Sequence, residues 1–365
     1  MPDLNPQELR SKCTRFLSGH FPRTQRQWLE QLAASAVSDN RLDIYSDGPA
    51  IQALEEEVAE LLGKEAALFM PKGVIAQQIA LRIWADRAHC QNVALHPGCH
   101  IELDESNAYQ RLTGLTGIRV GKNQQPFTAA DLATLHEPLA AVTVELPLRR
   151  AGYKLLSWEE LTALSDWTHA QKVPLHFDGA RLWECAPFYE RSYAEIAALA
   201  DSVYVSFYKG LGGLGGCVLA GTADFINEAK VWRTRFGGNL YTAFPYIISA
   251  TEGLHRQLPK MAGYYRQASE IAAALAELPG VSCVPNPPHT NGFQVYLPGE
   301  KQALQKASFE IAANDGLWLF GYLDETAVPG LSMGEIVVGE VTEQLSISEI
   351  VEAFAKMLDL SKKWI

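Results

Sequence analysis

Five short apolar runs, at residues 66–70, 93–96, 141–145, 173–177 and 203–207, are separated by stretches long enough to hold a helix. In one of those stretches Trp158, Leu161, Leu164 and Trp167 keep the spacing of a helix face. Strand, helix, strand at this rhythm predicts βαβ units and a three-layer α/β core with a mostly parallel sheet. In such sheets ligands sit beyond the carboxyl ends of the strands. The polar residues that close the apolar runs are therefore the candidates for chemistry.

An amphipathic helix precedes the first run. Ile51, Leu54, Val58, Leu61 and Leu62 fall at helical spacing after the turn Asp47-Gly48-Pro49, and Gly63 stands where a C-cap belongs. Residues 22–45, mixing Arg, Gln and Ala, read as a further helix. The composition shifts near Ala250. A long helical segment over 251–278, with a break at Pro259, leads into a Pro-rich turn at 285–288. Short strands follow at 293–297, 317–320 and 336–338, with helices around 302–314 and 348–358. The expected division is a helical segment at 1–45, a large α/β domain at 46–248 and a smaller C-terminal α+β domain at 249–365.

Composition narrows the class. The 365 residues carry 31 Lys and Arg against 42 Asp and Glu, a net charge of −11, with no basic block. That balance argues against nucleic acid or an anionic membrane as partner. No apolar stretch approaches the roughly 18 residues of a membrane span. The opening MPDLNPQELRSK has no basic region leading into an apolar one, the pattern of a secretory signal. The six cysteines (Cys13, Cys90, Cys99, Cys185, Cys217, Cys283) are scattered without a CxxC pair. A cytoplasmic enzyme or binding protein with reduced thiols and no metal centre is the expectation.

Two segments carry the chemistry. VPLHFDGAR, at 173–181, delivers Asp178 at the end of an apolar strand, followed by Gly179 and Arg181. DSVYVSFYKGLGGLGGCVLAG, at 201–221, delivers Lys209 into a glycine-rich turn. The separation, 209 − 178 = 31 residues, is about one βαβ crossover, so both tips can face one crevice. A lysine amine can form a Schiff base with the aldehyde of pyridoxal phosphate. An aspartate at the pyridine nitrogen keeps that ring protonated, so it can act as an electron sink. The glycines after Lys209 allow close approach of the backbone. The bland alternative is an Asp–Lys surface pair beside a tight turn. The GxxxxGK[ST] order of a Walker loop is absent. His176 reads as structural, on the strand face opposite Asp178.

The stretches LEEEVAELLGKEAALFMPKG, PLHFDGARLWECA and SVYVSFYKGLGGLGGCVLAG resemble the threonine aldolase branch of the β-eliminating lyase family. These are pyridoxal-phosphate enzymes of the aspartate-aminotransferase-like fold, the fold type I of PLP-dependent transferases. The resemblance implies that Lys209 is the Schiff-base lysine, Asp178 the pyridinium partner and His100 a residue stacked on the cofactor ring. It places Arg181 against the cofactor or the substrate carboxylate, and Gly73, with Lys72 and Val74, at the phosphate. Tyr45 and Glu145 fall in segments that lie near the family's substrate. Ser18 and His20 stand where the family has its N-terminal RSDT motif.

Several motifs depart from the family. The phosphate loop PSGT has become Pro71-Lys72-Gly73-Val74, and the serine before the Schiff-base lysine has become Tyr208. ENT has become Glu145-Leu146-Pro147. The C-terminal stretch MGEIVVGE offers Glu335 where the family has a carboxylate-binding arginine. His20, Arg181 and Arg233 are the candidates to replace it. The implied activity is carbon–carbon lysis of a β-hydroxy-α-amino acid such as threonine, giving glycine and an aldehyde. β-Elimination on another amino acid, or cofactor binding without catalysis, are the alternatives. The family also implies a homodimer or homotetramer, with Arg233 and Arg235 near the neighbouring site.

Overall fold

A computed structural model describes residues 5–364. The chain folds into two compact units, one spanning Arg23–Lys260 and one built from the residues up to Pro22 with those from Met261 onward.

Among the described residues of the larger unit, seven strands form one sheet. They are β1 (Ala66–Met70), β2 (Asn92–Leu95), β3 (Thr116–Arg119), β4 (Ala141–Glu145), β5 (Leu175–Gly179), β6 (Ser202–Ser206) and β7 (Cys217–Gly221). The order across the sheet is β1-β7-β6-β5-β4-β2-β3. From β6 to β3 neighbouring strands run parallel, whereas β7 is antiparallel to both β1 and β6. Every residue of β5, β6 and β7 is buried. Because successive side chains point to opposite faces, uniform burial means that both faces are covered. This is the expected three-layer α/β core.

The sequence announces neither β3, which has no fully buried residue, nor β7. The CVLAG of β7 follows the glycine-rich turn so closely that it reads as part of the turn. The chain reverses there, Phe207 N–H donating to Gly216 O at 3.2 Å, and β7 returns antiparallel beside β6.

Two helices flank this sheet in the chain. Helix α1 (Pro49–Leu62) has Pro at its start and ends at Gly63, whose φ of 59° is left-handed. Helix α2 (Gly73–Ala88) begins directly after β1 and is largely buried. Its Trp84 stacks on Phe225 at 4.8 Å between ring centroids. Residues 22–45 are less helical than expected. Helix Gln25–Ala33 stops early because Ser35 caps a separate short turn, Ala36–Asp39, its hydroxyl accepting from Val37 N–H. Ile44 and Asp47 then pair across Tyr45 and Ser46, both left-handed at φ 48° and 67°.

The smaller unit holds a four-stranded antiparallel sheet of Asp324–Glu325, Leu331–Val337, Gly292–Pro298 and Ser282–Val284, in that order. Helices Met261–Ala276, Lys301–Asp315 and Ile347–Ser361 belong to it, and Arg15–Phe16 pairs in parallel with Leu317–Trp318. The compact units divide at 22/23 and 260/261, whereas the sequence predicts 45/46 and 248/249. Residue 248 lies inside the continuous helix Phe244–Gln257; the chain bends only at Leu258–Lys260, where Pro259 stands.

Candidate active site

The parallel register sets the site. Glu145 of β4 pairs with Asp178 of β5, and Asp178 pairs with Tyr204 of β6. The carboxyl ends of three strands therefore lie side by side, and the chain leaving β6 carries Tyr208 and Lys209 across them. The cavity at these tips has a volume of about 200 Å³. Lys72, Gly73, Val74 and Gln77 line it from helix α2 and the residue before it. His100, Asp104 and Glu105 line it from the segment after β2. Asp178, Ala180, Tyr204, Tyr208 and Lys209 complete it.

Lys209 is held by a tight turn, Gly212 N–H donating to its carbonyl at 3.0 Å. Gly210 packs against Glu184 so closely that a methyl group there would collide with the carboxylate. Burial, then the Arg181 guanidinium, push the Lys209 ammonium below its ordinary range, with Asp178, Glu145 and Glu184 opposing. The site thus makes the neutral, nucleophilic amine easier to reach than it is in water.

Asp178 is 2% exposed. Its carboxylate accepts from Ala180 N–H at 3.3 Å. Burial, reinforced by the charge of Glu145, pushes its pKa up to about 7. Lys209 and His100 oppose that rise, and a further cationic donor on the cavity side would oppose it more.

His100 is fixed from both ends. Its backbone N–H donates to Glu145 Oε2 at 2.8 Å, and its Nδ1 lies 3.1 Å from Glu105 Oε1. Glu105 also accepts from Gln78 Nε2 at 3.1 Å. The Glu105 hydrogen bond raises the His100 pKa, with burial opposing it. Nδ1 is thus engaged, leaving Nε2 as the working nitrogen.

The other expected site residues are placed as follows. Glu145 spends its second oxygen on Arg149 N–H at 3.2 Å, so its role in the geometry is to hold His100 and the following loop. Arg181 donates to Glu184 at 3.2 Å and lies over the Tyr153 ring at 5.3 Å. Tyr45 is 60% exposed on its left-handed turn, its N–H donating to Tyr241 O at 2.9 Å. Arg233 is buried and donates to Phe69 O at 2.9 Å, with Glu55 at 3.9 Å. Arg235 lies over Trp232 at 4.6 Å. Ser18 and His20 belong to the smaller unit, where Ser18 Oγ accepts from Val337 N–H at 3.3 Å and His20 lies 3.9 Å from Glu340.

His176 corrects the expectation from sequence. Two residues apart on one strand, His176 and Asp178 share a face. His176 is fully buried, with Nε2 2.6 Å from Gln77 Oε1 and Nδ1 2.8 Å from Ser202 Oγ. Glu105, Gln77, Glu184 and Tyr204 are site residues that the sequence does not single out. Glu105 has a local signal, five residues beyond His100 in HIELDE; Gln77 lies one turn beyond Gly73 on the same helix and Glu184 three residues beyond Arg181, whereas Tyr204 meets the site only through the sheet.

The model of the β-eliminating lyase family matches residues 23–298. A solved structure of a putative L-allo-threonine aldolase from Listeria monocytogenes is 37% identical, superposes with a TM-score of 0.92 and is covered over 99% of its length, using 97% of this chain. The chain belongs to the β-eliminating lyase family. A putative aromatic amino acid β-eliminating lyase/threonine aldolase from Exiguobacterium is 35% identical, with a TM-score of 0.91 over 98% of this chain and all of that one. The low-specificity L-threonine aldolase 1 of Arabidopsis thaliana is 29% identical over 69% of this chain and 72% of its own. The Escherichia coli K12 low-specificity L-threonine aldolase is 29% identical over 70% and 77%. Members of this family are PLP-dependent, and the superpositions place this chain in the same fold class. Among the described residues no helix is long and apolar enough to cross a membrane, and no group of three His, Cys, Asp or Glu is placed to hold a metal ion.

Proposed function

We propose that the protein is a pyridoxal-phosphate-dependent aldolase that cleaves a β-hydroxy-α-amino acid such as threonine into glycine and an aldehyde. The observation that carries this reading is the meeting of Lys209, Asp178 and His100 in one cavity. The residues fit the cofactor. The buried Asp178 carboxylate would be matched by a pyridinium N–H, and burial lowers the pKa of the Lys209 amine. The N-terminus of α2, beside Lys72, offers backbone N–H groups to a phosphate.

When bound, the cofactor supplies an electron sink for the electron pair released when the Cα–Cβ bond breaks. The chain's own residues do the rest. Lys209 would hold the cofactor through Nζ, its amine buried at the cavity wall. Asp178 keeps a proton at the ring nitrogen. His100 removes the β-hydroxyl proton through Nε2, its ring held by Glu105. Glu145 fixes the backbone of His100 so that the imidazole stays over the cavity. The homo-oligomer expected of the family is supported by an exposed apolar groove of about 570 Å³ lined by Trp28, Leu29, Leu42, Leu214 and Phe244.

The test is direct. Purified protein given pyridoxal phosphate should develop a visible absorbance band. Borohydride reduction should then fix the cofactor's mass on the peptide containing Lys209, and Lys209→Ala should abolish both. A wild-type protein that gains neither band nor mass in excess cofactor would refute the reading.

A further inference from the structure

The loop entering helix α2 has lost the family's hydroxyls at Lys72 and Val74, and the serine before Lys209 is Tyr208. Yet hydrogen-bond donors stand at that end of the cavity. Tyr204, from β6, sets its phenol oxygen against Gly73; a methyl group at Gly73 would overlap it. Tyr204 and Tyr208 both line the cavity, and the Tyr208 hydroxyl can donate to an acceptor there. Lys72 Nζ lies 5.5 Å from the centre of the Tyr208 ring, so a cation stands beside that phenol.

A second chain of hydrogen bonds arrives from below. Trp84 Nε1, which can only donate, gives its hydrogen to Ser202 Oγ at 2.9 Å. Ser202 passes its hydroxyl hydrogen to His176 Nδ1 at 2.8 Å. His176 then carries its hydrogen on Nε2 and gives it to Gln77 Oε1 at 2.6 Å. The order follows because an amide oxygen can only accept, so Nε2 carries the ring hydrogen and Nδ1 accepts. Gln77 is 1% exposed and lines the cavity. With its oxygen committed to His176, its amide group keeps two N–H donors for which no hydrogen bond is made among the described residues. A buried amide that offers only donors is aimed at an acceptor.

These groups surround the first turn of a 16-residue helix, whose opening N–H groups have no partner within the helix. Amide N–H groups, one ammonium, one phenol and one carboxamide make a set of donors suited to a phosphate monoester dianion. We propose that Tyr208 and Gln77 are phosphate-binding residues that replace the hydroxyls lost from the loop, with Tyr204 and the Trp84–Ser202–His176 chain as their positioning residues. This rests on the cofactor reading above and assigns its phosphate end to residues outside the family motif.

The test compares pyridoxal phosphate with pyridoxal, which differs only in lacking the phosphate. Each is titrated into the full-length protein, following the visible band. Tyr208→Phe and Gln77→Leu should each weaken pyridoxal phosphate by about tenfold or more while leaving pyridoxal unchanged. His176→Phe should lower the same ratio in wild type but add nothing to Gln77→Leu. Variants that weaken both ligands alike, or neither, overturn the proposal while the cofactor reading stands. A wild-type protein that forms a band with both ligands at equal affinity also overturns it. Formation of no band with either ligand refutes both readings together.

Discussion

His100 Nδ1 lies 3.1 Å from Glu105 Oε1, and the Glu105 carboxylate is itself buried and held by Gln78. This pairing occupies Nδ1 of His100 and raises the imidazole pKa. His100 must be neutral to act as a base, so activity should rise with pH through its titration. Replacing Glu105 by Gln removes the negative charge and should move the acid limb of the kcat profile to lower pH. His100→Gln should cut kcat by about a hundredfold or more. An acid limb that stays in place in Glu105→Gln would show that another group controls it.

Asp178→Asn keeps the shape of the site but cannot hold a proton on the ring nitrogen. It should retain the visible cofactor band and lose about a hundredfold or more in kcat. Unchanged turnover would show that the ring nitrogen is not served by this residue.

Gly210→Ala tests the close packing around Lys209. The added methyl group collides with the Glu184 carboxylate, which also holds Arg181. A loss of about 1–3 kcal/mol in unfolding free energy is expected, with a weakened cofactor band. A variant as stable and as coloured as wild type would mean that Glu184 is free to move.

His176 links stability to pH. Burial pushes its pKa from 6.5 to about 3. Between those values the unfolded chain binds a proton that the folded one refuses, so stability rises with pH across the window and is lost as pH falls. The effect amounts to at most about 5 kcal/mol on full acidification. Chemical denaturation of wild type and His176→Gln, compared from pH 6.5 downward, should show a shallower loss in the variant. Parallel curves would mean that His176 is not held neutral in the fold.

Much of this molecule is legible in the sequence because its signals are local. The apolar runs that become β1, β2, β4, β5 and β6 are continuous, as strands buried on both faces must be. Gly63 and Pro259 mark chain turns by backbone geometry alone. Lys209 and Asp178 announce themselves at strand ends. What stays hidden depends on sheet order. Gln77 meets His176 across 99 residues, and Trp84 meets Ser202 across 118. β7 is disguised by the glycines before it. The face of His176 is a different case, since two-residue alternation alone puts it beside Asp178.

Carbon–carbon lysis at Lys209 is tested most directly by identifying the products. The protein, saturated with pyridoxal phosphate, is incubated with L-threonine and L-allo-threonine in parallel with Lys209→Ala. Glycine and acetaldehyde should appear in equal amounts with at least one of the two, and not with the variant. Ammonia and a 2-oxo acid in their place, or no product from either isomer, would contradict the proposed activity.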